Sequence, residues 1–183
     1  HLTLRALPTA DVIISYCRGT ALGNPVAFVV AKQVNYDGNR PTDGLLTFKV
    51  HALANGYGLT WGKQLTAGKR TDTSATNGTG VDFGGGGSKA FGLVAVLHVF
   101  AFTGTDVTIR IQESSDDGGS DAYANVTGGA FAQVASAPLA ERIVTALNQT
   151  VERYLRVITA TSAGFSSVEF AVHCERHEVA VAY

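Results

Sequence analysis

The segment LHVFAFTGTDVTIRIQESSDDG, residues 97–118, constrains this chain more than any other. Val107, Ile109 and Ile111 alternate with Thr108, Arg110 and Gln112. A period of two puts one set of side chains on a core and the other in water, which is the signature of a half-buried strand. Thr103, Gly104, Thr105 and Asp106 supply turn residues between this run and the apolar run before it, so the segment reads as an antiparallel hairpin. Strand-like runs then recur at 91–102, 106–113, 122–134, 139–146, 151–161 and 167–175. That rhythm suits an all-β sandwich or jelly roll. Only APLAERIVTALNQ has a helical look, and its surroundings favour a strand or a short turn.

The first third of the chain carries the same pattern. DVIISYC (11–17) and PVAFVVAKQV (25–34) are β-branched, apolar runs around a polar loop. NYDGNRPTDG (35–44) is dense in Asn, Asp, Gly and Pro and reads as a turn or an exposed loop. LLTFKVHAL (45–53) resumes a strand with Leu46, Phe48 and Val50 on one face, and ANGYGLTWGKQL after it suggests a bend or bulge. Residues 66–89 are rich in Gly, Thr and Ser with few apolar anchors, the best place for a linker or long loop. The expected division is therefore 1–65, a linker over 66–89, and a β-sandwich over 90–183.

Composition excludes several functions. Lys and Arg number 14 against 15 Asp and Glu, a net charge of −1, so no basic field points to nucleic acid or anionic lipid. Charged residues make up 16% of the chain, below the roughly 25% of soluble domains, which suggests surface covered by partners. No apolar stretch approaches the length of a membrane span, and no signal peptide is visible. The chain begins at His1 and contains no Met, so a processed terminus or a preceding portion is expected. Cys17 and Cys174 form no framework of the secreted type, and whether they ever meet is left open.

Each motif with a chemical reading has a plainer one. FGGGGSK (83–89) lacks the spacing of a phosphate loop and precedes a strand, so it reads as a flexible linker. ESSDDGGSD (113–121) offers Asp116, Asp117 and Asp121 as hard-ion ligands but has the composition of a solvated turn. HCERH (173–177) places His173, Glu175 and His177 on one strand face, a geometry that could ligate zinc, against a polar strand end as the default. His51 and His98 sit inside strands, where a hydrogen-bonded structural histidine is the expectation. No nucleophile elbow and no carboxylate pair is present, and no enzyme activity and no cofactor are expected.

Three long phrases carry a resemblance: RGTALGNPVAFVVAKQVNYDGNRPTDGLLTFKV, NGYGLTWGKQLTAGKRTDTSATNGTGVD and FGLVAVLHVFAFTGTDVTIRIQESSDD. With AYANVTGGAF and VERYLRVITATSAGFSSVEFAV they resemble tail tube (major tail) proteins of long-tailed phages of actinobacteria, from about Asp11 to Val172. The resemblance implies a tail-tube-type β-barrel or sandwich portion followed by a jelly-roll-like or immunoglobulin-like sandwich. It also implies a virion protein, made in the host cytoplasm, whose copies form stacked and usually hexameric rings around a channel for DNA. Its partners would be itself, other phage tail proteins, and DNA that passes without sequence-specific binding. The loops 35–44 and 66–89 are the expected reach between subunits, with Tyr36, Asp37, Arg40, Asp43, Lys69 and Arg70 as inter-subunit residues. The alternatives are a capsid decoration protein, or a displayed sandwich that binds host glycan through aromatics such as Trp61, Tyr57 and Tyr123.

Overall fold

A computed structural model of the chain describes residues 11–39, 44 and 47–181. The described residues form twelve strands and no helix: β1 (Val12–Cys17), β2 (Pro25–Asn39), β3 (Thr47–Ala54), β4 (Thr60–Gln64), β5 (Arg70–Asp72), β6 (Val81–Asp82), β7 (Leu93–Gly104), β8 (Thr108–Ser114), β9 (Ala124–Ala130), β10 (Leu139–Val144), β11 (Tyr154–Ala160) and β12 (Phe165–Arg176). The protein is all-β, as its alternating pattern predicts. Among the described residues no helix is long and apolar enough to cross a membrane.

Two sheets carry the fold. The larger runs β1-β2-β4-β12-β7-β10, with β3 added to β2 and β5 to β12; the smaller runs β6-β11-β8-β9. The larger sheet curls until its end strands β1 and β10 approach one another, which makes a nearly closed barrel. Every recorded strand pair is antiparallel.

The main core lies between the sheets. Leu93, Ala95, Leu97 and Val99 of β7 and Val168, Phe170, Val172 and Cys174 of β12 meet Ile109 and Ile111 of β8 and Leu155 and Val157 of β11. The opposite face of β7 is also apolar. Val94 and Val96 pack with Val26 and Phe28 of β2 and with Ile13 of β1 inside the curl. Burial on two faces explains why β7 reads as a continuous apolar run while β8 alternates.

Three expectations are corrected. The 97–118 segment is not a hairpin: β7 pairs with β12 and β10, whereas β8 pairs with β11 and β9 in the other sheet. Gly104, at φ 152°, allows the chain to leave one layer, and a Cβ there would clash with Phe165. The buried Asp106 carboxylate then fixes the corner, accepting hydrogen bonds from the Ser162 and Ala163 amides and the Thr161 and Ser162 hydroxyls. These bonds, first those from Ser162, hold its pKa down at about 2. Ladder bonds between β7 and β8 would have left one layer of apolar side chains without the other.

Residues 66–89 do not separate two cores. β5 pairs with β12 in the large sheet and β6 with β11 in the small one, so the segment straps the layers together. Leu65 and Val81, at its two ends, belong to the same core as Val172 and Leu155. The division at 66–89 therefore falls within a single pair of packed sheets. The glycine run is fixed as well. Gly84 to Gly87 all have positive φ, and the buried Arg176 guanidinium donates to the carbonyls of Gly84, Gly87 and Glu152 at 2.9–3.0 Å. The run's left-handed backbone wraps that cation, where the sequence suggests a flexible linker.

The third correction concerns 35–44. The first half of that stretch is strand: β2 continues to Asn39 and pairs with β3 in register from Ala31↔Ala54 to Asn39↔Thr47.

Candidate functional site

The β2–β3 pair is the feature that most distinguishes this sheet. Up to Ala31, β2 has neighbours on both sides, β1 over Val26–Ala31 and β4 over Pro25–Phe28. Beyond Ala31 its partner among the described residues is β3, and β3 pairs with β2 alone. Lys32–Asn39 and its partner strand thus form a two-stranded arm, about 25 Å long at roughly 3.3 Å per residue. Lys32, Lys49 and His51 on it are exposed, and Leu53 is 64% exposed. An isolated two-stranded ribbon is marginally stable in water and is completed by packing against something else.

The arm begins beside an apolar row. Tyr16 of β1, Ala27 of β2 and Trp61 of β4 lie directly opposite one another and share a face. Tyr16 is 65% and Trp61 51% exposed, while Ala27 between them is buried. Four residues on from Trp61, just past the end of β4, the same face reaches Leu65 and enters the main core. One face therefore passes from a packed layer to an uncovered aromatic strip.

The expected inter-subunit residues fall in different settings. Tyr36 and Asp37 lie on the arm, opposite Val50 and Lys49. Arg40 and Asp43 lie outside the described residues. Lys69 is exposed, pairs with Glu169 at 2.9 Å and stands 5.0 Å from the centre of the Phe100 ring. Arg70 is engaged within the subunit: it holds Asp72 through two bonds of 2.7 Å, donates to the carbonyls of Val157 and Thr76, and covers the Phe170 ring.

The aromatics named for a glycan platform do not converge. Tyr57 and Trp61 share a recess with Leu59, with Arg142 over the Tyr57 ring at 4.0 Å. Tyr123 belongs to the other sheet's loop, donates its hydroxyl to Asp117 at 2.5 Å and lies under Arg156. The carboxylates of 113–121 turn inward on their own loop. Asp116 accepts from the amides of Gly119, Ser120 and Asp121, and Asp121 accepts from the Ser115 amide.

The 173–177 trio is also divided. His177 approaches Glu175 at 3.9 Å and faces the Phe91 carbonyl, while His173 turns to Ser15 and Cys17. No group of three or more His, Cys, Asp or Glu that could hold a metal ion occurs among the described residues. Both cysteines are free, Cys174 being buried in the main core and Cys17 exposed.

His173 leads to a cluster that strand-by-strand reading misses. Ser15 of β1, His98 of β7 and His173 of β12 all face the inside of the curl. The Ser15 hydroxyl lies 2.9 Å from His98 Nε2 and 3.0 Å from His173 Nδ1, and Cys17 Sγ lies 3.5 Å from His173 Nε2. Gln64, opposite His173 on β4, is fully buried and donates to the Gly19 carbonyl. These residues border a recess of about 440 Å³ whose wall includes Phe100 and Lys69. Burial depresses both imidazoles, His173 to about 4, with His98 adding to its shift, and burial raises the Cys17 thiol. Period two does place Ser15 and Cys17 on one face and His98 with Val94 and Val96 on another. No local signal shows that the curl brings those faces together.

No protein-family model, curated protein or solved structure matches the chain.

Proposed function

We propose that this chain is a structural subunit of a phage tail tube. In this reading, copies associate edge to edge into rings, and the rings stack around a channel through which DNA passes. The observation that carries the proposal is the two-stranded arm Lys32–Asn39/Thr47–Leu53, whose ribbon has no third strand among the described residues. Open β-edges and half-packed ribbons invite association, and a repeated head-to-tail contact closes into a ring when its rotation allows. The curled sheet supports the reading, because its end strands β1 and β10 each have one paired side. The uncovered strip of Tyr16 and Trp61 supplies apolar surface next to the arm. The sequence phrases that resemble tail tube proteins span both the arm and the strands that hold it. In such an assembly DNA needs passage and no base-reading surface, which fits a net charge of −1.

The second reading is a displayed sandwich that binds host glycan. The pairing of Trp61 with Tyr16 across Ala27 favours it, because flat rings on an exposed sheet face stack on sugar faces. Negative-stain electron microscopy of the concentrated chain separates the two. Rings or tubes of uniform diameter are the expected result. Dispersed single particles, with retention on a glycan column lost in Trp61→Ala, would replace the tube by the glycan module.

A further inference from the structure

The Ser15–His98–His173 cluster sits where the curled sheet closes, and one hydroxyl serves two imidazoles there. His173 is 3% exposed, and its ring centre lies 5.7 Å from that of His98. A serine hydroxyl has one proton to give. With both rings neutral it donates to one ring nitrogen and accepts from the other, so both bonds are made. With both rings protonated, two N–H groups aim at the same oxygen and two positive charges stand side by side.

No acid among the described residues is placed to offset those charges. Among the described residues neither imidazole has a carboxylate as hydrogen-bond or ion-pair partner. The charged groups on neighbouring elements are engaged elsewhere. Lys69, on the recess wall, pairs with Glu169 at 2.9 Å, and Glu175, two residues along β12, approaches His177 at 3.9 Å. Arg142 of β10 covers the Tyr57 ring. Cys17 contributes a neutral thiol, its pKa raised further by partial desolvation.

Position turns this charge problem into a mechanical one. Ser15 and Cys17 belong to β1, an end strand whose recorded ladder is with β2 alone. His98 and His173 belong to β7 and β12, the paired central strands of the sheet. The cluster thus ties the loosest strand of the curl to its most secured ones, beside a recess of about 440 Å³ that admits water.

We propose that the Ser15–His98–His173 cluster is a pH-sensitive latch: protonating its imidazoles releases β1 from β7 and β12 and opens the seam between β1 and β10. The sign follows from linkage. Both histidines are neutral in the closed fold and regain a pKa near 6.5 when hydrated, so the closed form holds fewer protons than the open one. Closure is complete above that pH and is lost as the pH falls below it, by up to roughly tenfold per pH unit for each histidine.

Amide hydrogen exchange of the full chain at pH 7.5 and 5.0, corrected for intrinsic rates, tests the latch. Protection of Val12–Cys17 is expected to fall at least tenfold at pH 5.0, while Tyr154–Ala160 in the small sheet keeps its protection. His98→Gln/His173→Gln, which retains polarity without a titrating ring, is expected to remove that pH dependence. Unchanged protection of β1 in the wild type, or the same loss in the double variant, overturns the proposal. Should the double variant fail to fold, imidazole titration of the wild type by NMR decides. Both rings titrating well below 6.5 supports the latch, and either titrating at or above 6.5 overturns it.

Discussion

The strands on the two sides of β4 differ in what completes them. On one side, β12 and β7 have paired neighbours along both edges and the small sheet laid across one face. On the other, β1 and β2 cover a small interior made of Val26 and Phe28 with Val94 and Val96, and β2 then runs out with β3 into a ribbon beside an aromatic strip. The first region satisfies its backbone and, Phe100 of β7 apart, covers its large apolar side chains within one chain. The second leaves a ribbon, an end strand and large side chains that only another surface could cover. The difference teaches where to look for function in this chain: in what its packing leaves unfinished.

Core truncation should separate the regions most sharply. Phe170→Ala is expected to cost about 4 kcal/mol and to lower the denaturant midpoint of the whole molecule, because the ring is buried between the sheets. Phe28→Ala removes an equally buried ring from the small interior, where the seam lets neighbours relax. About 3 kcal/mol is expected, with exchange rising first in β1 and β2. Equal and uniform losses would erase the distinction.

Arg176→Met comes next. The aliphatic stem survives, but the carbonyls of Gly84, Gly87 and Glu152 lose their donor, and a loss of about 3 kcal/mol is expected in urea unfolding. A variant within about 0.5 kcal/mol of wild type would return the 83–89 run to a free linker.

Acid should weaken the curl before the layered half. From pH 7 to 5, His173 alone should remove about 2 kcal/mol of stability, since its pKa rises from about 4 in the fold to about 6.5 on exposure. Thermal unfolding of His173→Gln against wild type across that interval measures it. A flat wild-type profile would contradict the assignment.

The smallest effects concern two adjacent cations. Arg70→Ala is expected to cost about 1–2 kcal/mol because its bonds to Asp72 and to two carbonyls are largely shielded. Lys69→Ala should change stability by less than about 0.5 kcal/mol. If instead Lys69→Ala alters self-association, the surface around Phe100 belongs to the contact between copies.

Much of the fold was legible because burial writes itself into periodicity. The alternation of β8 and β11 and the continuous apolar run of β7 identify one-sided and two-sided burial, and the strand rhythm after residue 90 matches β7 to β12 closely. What periodicity lacks is partner choice. Thr103–Asp106 has the composition of a hairpin turn, yet the chain gains more by facing two apolar layers together than by pairing β7 with β8. NYDGN looks like loop because Asn, Asp and Gly are poor strand formers, and ladder bonds to β3 override that preference. The glycine run gives no hint that Arg176, some ninety residues away, holds it. The histidine latch was the least visible, since it is assembled from three strands by the curl.

The most direct test of the account compares assembly with and without the arm. Residues 34–51 are replaced by a two-residue Asn-Gly turn joining Gln33 to Ala52, which face each other across the ribbon. Sedimentation velocity is then recorded for both chains over a wide concentration range. The account predicts concentration-dependent oligomers of the intact chain and a folded monomer of the shortened one, with urea midpoints nearly equal. Oligomers of the same size from both chains, or a monomer from the intact chain at every concentration, would contradict it.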